Sequence, residues 1–156
     1  MINIENIFNG NPDEWLECLP KYQRDIINKI YSQTENYDEI IEFWLSPSIT
    51  SNVPFGTRKK EILSIKKIKK EIKLFIIGDE KYKSDRDRIL DYSEITKIYF
   101  IYQISNILSP ILGTASPYLT PVIAIIFITI GKIGINAWIK TQEENNPDSD
   151  DHNYLK

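Results

Sequence analysis

A chain of 156 residues holds one core with appendages and leaves no room for a second enzyme domain. Its 42% hydrophobic and 26% charged residues suit a folding chain rather than a disordered one. A single cysteine, Cys18, and a single histidine, His152, exclude an intrachain disulfide framework and a Cys/His zinc site, and the net charge of −3 speaks against general nucleic-acid binding.

The charge is segregated along the chain. Residues 1–57 carry nine acids and three bases, net −6; residues 58–73 carry eight bases and two acids, net +6; residues 74–156 carry eleven acids and eight bases, net −3. The start, Met1 to Asn6, has neither the basic residues nor the apolar run of a secretory signal, so export by that route is not expected.

The N-terminal part reads as short helices. Asn11 supplies an N-cap, Pro12 the first helical position, and Asp13 and Glu14 the acids of a first turn, with a stop near Pro20. Cys18 lies in Trp15-Leu16-Glu17-Cys18-Leu19 and reads as a small core residue, since no histidine is at hand to activate it. A second helix begins after Pro20, with Ile26, Ile27, Ile30 and Tyr31 at helical spacing. A third runs from about Tyr37 to Leu45 and offers Ile40, Ile41, Phe43 and Trp44. Glu39 and Glu42 lack the partner that acid–base or metal chemistry requires and read as a solvated face.

Residues 46–57 form a linker with two prolines and a glycine, and no phosphate-binding glycine motif occurs. From Arg58 to Ile77 a basic amphipathic helix is expected, capped by Gly78. Its apolar stripe includes Ile65, Ile68, Ile72 and Phe75, and its basic surface comprises Arg58, Lys59, Lys60, Lys66, Lys67, Lys69, Lys70 and Lys73. Packing on the acidic N-terminal part is the simplest role for this helix, an anionic membrane surface the next. Nucleic acid is not expected, because no aromatics interleave with the lysines. Residues 79–92 read as a charged, solvent-facing helix; Asp85 and Asp87 lack the glycine and terminal glutamate of a calcium loop.

From Ile98 to Gly131 there are 34 consecutive residues without a charge. A turn at Gly113-Thr114-Ala115-Ser116 divides the region into two arms, Glu94 to Leu112 and Pro117 to Ile139. The second arm, at about 1.5 Å per residue, reaches roughly 34 Å, enough for a hydrocarbon core of about 30 Å. Val122, Ile123, Ile125, Ile126, Phe127, Ile128 and Ile130, with Lys132, Ile135 and Trp138, are the residues expected to enter a membrane or a partner. Lys132 is the one charge that a plain anchor does not account for. The basic residues ahead of the arms favour a cytoplasmic N-terminal part.

The expected fold is therefore all-α. A small acidic helical bundle spans 1–45 and a linker 46–57. A basic and then a charged helix follow over 58–93, an apolar helical hairpin over 94–140 (candidate membrane segment 117–139), and a flexible acidic tail over 141–156. This order of parts resembles small membrane-acting effectors of bacterial defence and toxin systems. The resemblance implies that a partner or signal engages the N-terminal helices, that chains associate into an oligomer, and that Pro117 to Ile139 assembles in the membrane and makes it leaky. The lack of catalytic and cofactor motifs adds a non-enzymatic protein without cofactor or small-molecule substrate, and the basic cluster a place at the cytoplasmic face of an anionic membrane. The alternative is a cytoplasmic all-helical adaptor or subunit whose apolar C-terminal helices dock into a larger protein partner.

Overall fold

A computed structural model describes residues 3–46 and 64–145. The linker from 47 onward, the bases Arg58, Lys59 and Lys60, and the tail from 146 lie outside the described residues. Among the described residues every regular element is helical and no strand occurs.

The chain opens with α1 (Ile4–Ile7), then a 3-10 segment (Pro12–Cys18), α2 (Lys21–Thr34) and α3 (Tyr37–Leu45). After the linker come α4 (Ile65–Ile77), a 3-10 turn (Glu80–Tyr82) and α5 (Lys83–Leu90). The apolar region supplies α6 (Lys97–Leu112), α7 (Ser116–Ile133) and α8 (Ile135–Asn145). Side-chain caps fix most starts, because each satisfies an amide that has no partner within its own helix. Asn11 Oδ1 accepts from Asp13 N at 3.0 Å, Asn36 Oδ1 from Asp38 N at 2.9 Å, and Thr96 Oγ1 from Tyr99 N at 3.1 Å. Gly78, at φ 80°, closes α4 in the left-handed conformation a glycine adopts without strain.

α7 is the axis of the core. Val122, Ile123, Ile125, Ile128 and Ile130 are completely buried, and Ile126 and Phe127 are 1% exposed. The cover comes from the 3-10 segment, α3, α6 and α8. Four rings close one side: Phe127 lies 4.8 Å from Trp15, 5.2 Å from Phe8 and 5.6 Å from Phe100, a packing worth more than its area alone. Ser105 and Thr120, the buried hydroxyls of the hairpin, are 3.1 Å apart. Ser105 also donates to the Ile101 carbonyl at 2.8 Å, and Thr120 lies 3.0 Å from the Ser116 carbonyl.

The hairpin differs from the expected one in its second arm. Pro117 to Ile139 is not a single helix, because α7 stops at Ile133 and Gly134, at φ 92°, redirects the chain into α8. α8 packs back on α7 and α4, burying Trp138 to 1% and Ile135 to 9% exposure. The all-round apolar character of α7 between Leu119 and Ile128 is accounted for by cover on every side within its own chain. Trp15, from an unusually long 3-10 segment, and Phe8, beside α1, supply the side that the amphipathic helices alone leave open.

Candidate interaction surface

The residues expected to enter a membrane or partner divide in two once folded. Val122, Ile123, Ile125, Ile126, Phe127, Ile128, Ile130, Ile135 and Trp138 face the core. Lys132, in the last turn of α7, turns outward. Its ammonium sits 5.7 Å from the Tyr31 ring and 5.1 Å from the Tyr37 ring, and these rings stack on each other at 4.4 Å. The charge is thereby held by a cation–π contact at the end of the helix, so Lys132 brings no charge into the core.

The basic helix also divides. Lys69 pairs with Asp38 of α3 at 2.9 Å and Lys73 with Glu143 of α8 at 3.5 Å. Lys66, Lys67 and Lys70 are exposed on the other side. Glu71 lies on the buried face, 6% exposed, where Lys81 Nζ at 2.7 Å and Tyr82 Oη at 2.5 Å both donate to Oε1. Burial alone pushes the Glu71 carboxyl up, but the two donors together outweigh it and hold the pKa below the usual carboxylate range. The same burial, joined by the Glu71 charge, raises Tyr82 strongly. Cys18 is buried as expected, and its thiol is pushed up to about 11, chiefly by desolvation. That is the opposite of an activated nucleophile. Among the described residues no group of three or more His, Cys, Asp or Glu is placed to hold a metal.

The uncharged run has a second consequence that its sequence pattern conceals. α7 spends its apolar surface inward, but α6 has an outer face. Ile98, Tyr102, Asn106 and Pro110 follow one another at i+4 and are all exposed, with Ile111 beside Pro110. Ile98 is 48%, Tyr102 42% and Ile111 37% exposed. Tyr92, 54% exposed, meets Tyr99 edge-on at 5.9 Å at the upper end of this face. The lower half borders a groove of about 440 Å³, whose far wall is Lys81, Asp85 and Arg88. A second apolar groove, about 490 Å³, lies between α2 and α3 and is lined by Tyr22, Ile26, Ile30, Phe43 and Trp44 among others. Charge is interspersed on the outer faces of α2, α4 and α5; the α6 stripe has none. Compared with known proteins, the chain matches no family model, no curated protein and no solved structure.

Proposed function

We propose that this chain is a non-enzymatic helical interaction module, an adaptor or subunit, which binds a protein partner through the uncharged outer face of α6. The observation that carries the proposal is the stripe Ile98–Tyr102–Asn106–Pro110 with Ile111, a solvent-facing helix surface that core packing does not require to be uncharged. Depletion of charge together with exposed aromatics is the compositional mark of an interface core. The Asn106 amide on the stripe suits a protein surface, where it finds a partner, whereas in hydrocarbon it is left unsatisfied at a cost of several kcal/mol.

The test is native size-exclusion and fractionation of the full chain from its source cells, in parallel with Tyr102→Glu and Pro110→Lys variants. A soluble complex of fixed stoichiometry that both variants dissolve, with helicity unchanged, is the expected result. A chain that elutes at its own mass whether or not the stripe is mutated overturns the reading.

A second reading, a membrane-perturbing effector, draws on one specific observation: α7 is 18 residues long and apolar enough to cross a bilayer. The core must open to release it, because most of its residues are buried against the rest of the chain. Detergent-dependent extraction of the native chain, together with leakage of anionic vesicles, selects that reading over the first.

A further inference from the structure

We infer that α2 is a hinged strap, closed over the α3–α7 surface by a three-residue clamp, and that the fold opens there first. The inference does not depend on what occupies the α6 face. Of the fourteen residues of α2 only Ile27 is buried, whereas α3, with nine, buries Ile40, Ile41, Trp44 and Leu45. Side-chain hydrogen bonds from α2 stay at home: Lys21 to Asp25, Ser32 to the Lys29 carbonyl and Thr34 to the Ile30 carbonyl. α3, by contrast, is tied to its neighbours, since Tyr118 Oη donates to the Trp44 carbonyl at 3.1 Å and Lys69 pairs with Asp38. α2 packs chiefly on α3, and the groove of about 490 Å³ between them shows how incompletely.

Three elements meet at one end of the strap. Tyr31 of α2 stacks on Tyr37 of α3 at an interplanar angle of 21°, and Lys132 of α7 lies over both rings. Between the two tyrosines is Glu35, at φ 52°, where a residue with a side chain occupies the left-handed region. A strained joint beside a small clamp, on a helix with one buried residue, is the pattern of a segment that opens locally. When α2 swings away it uncovers Trp44, 8% exposed, beside Phe43, which is 42% exposed already, and the Lys132 contact with Tyr31 breaks while that with Tyr37 persists. Apolar surface on α3 is then presented conditionally, at a place distinct from the α6 stripe.

Native-state hydrogen exchange on the full chain tests this. In the wild type, amides of 24–34 are expected to exchange through an opening that leaves α6 and α7 protected. Lys132→Gln should speed exchange in α2 by about threefold, the factor expected for an exposed cation–π contact. Tyr31→Ala, which deletes a ring of the stack as well, should do so by about tenfold. Lys132→Arg keeps a cation over the rings and should exchange like wild type. Exchange of α2 in step with α6 and α7, or a Lys132→Gln effect that is absent or equal in every helix, overturns the inference.

Discussion

Tyr82 Oη donates to Glu71 Oε1 at 2.5 Å, inside the packing of α4 against the turn that follows it, and Lys81 Nζ donates to the same oxygen. A basic helix thus turns an acid inward, and the next residues of the chain fold back to satisfy it. Tyr82→Phe keeps the ring, which is 1% exposed and packs 5.9 Å from Phe75, and removes only the donor. A hydrogen bond to a charged group contributes about 1.5–3 kcal/mol, so Tyr82→Phe is expected to lower unfolding stability by about 2 kcal/mol in urea denaturation with an unchanged m-value. A loss below about 0.5 kcal/mol would show that Lys81 alone meets the needs of Glu71.

The same carboxylate sets a pH dependence. Its folded-state pKa is below the ordinary value of 4.5, so between the two values the unfolded chain binds more protons and stability rises with pH. The contribution is complete above about pH 4.5 and is lost as the pH falls through the folded value. Glu71→Gln is expected to flatten the acid side of the stability curve. An acid limb identical in wild type and Glu71→Gln assigns the acid sensitivity to other carboxylates.

Substitutions on the two arms of the hairpin should separate core from surface. Phe127→Ala empties the centre of the Phe8–Trp15–Phe100 cluster and should cost about 3–5 kcal/mol. Tyr102→Ala, on the outer stripe of α6, should stay within about 0.5 kcal/mol of wild type. Thermal or urea unfolding of the pair reads the contrast directly. A large loss at Tyr102 places the stripe in the core and removes it as a binding face.

Much of the local structure was legible in the sequence, because caps and helix stops are decided by a few neighbouring residues. Asn11-Pro12 starts the 3-10 segment, Asp38 and Glu39 open α3, and Gly78 closes α4. The environment of α7 was not legible. A helix apolar on every face reads alike whether lipid or protein covers it, and the cover, Phe8 and Trp15, lies more than a hundred residues away in the chain. The outer stripe of α6 was hidden for a related reason. Inner and outer positions are both uncharged, so the period that separates a core face from a solvent face had no contrast to display. Lys132 was visible as an anomaly, but its resolution needed Tyr31 and Tyr37 to come together across the Glu35 turn.

Cys18 gives an independent readout of the N-terminal cover. It is 8% exposed, and its thiol is held at about 11 by burial, with Lys97 opposing and Glu17 and Glu14 adding to the rise. The thiolate is the reactive form, so a disulfide reagent at pH 8 is expected to label the native chain slowly, and at the full rate of a free thiol once urea unfolds it. Rapid labelling of the native chain would mean that the 3-10 segment spends much of its time away from α7.

How tightly that segment is pressed against α7 is decided at Gly131. A Cβ built there would stand 3.2 Å from Pro12 Cβ and 3.3 Å from Pro12 Cγ, closer than most such contacts, so Pro12 would have to give by a few tenths of an ångström. Alanine in place of glycine in a helix interior gains up to about 1 kcal/mol of helix propensity. Overpacking a filled site costs about 1–3 kcal/mol, and the proline ring has no rotamer with which to retreat. The clash should win, and Gly131→Ala is expected to destabilise by about 1 kcal/mol net. Combining it with Pro12→Ala removes Cγ and should restore part of that loss, so that the two substitutions are non-additive in a double-mutant cycle. If Gly131→Ala instead raises the melting temperature, the 3-10 segment yields at little cost. The aromatic cover over Phe127 is then looser than the close approach of Pro12 implies.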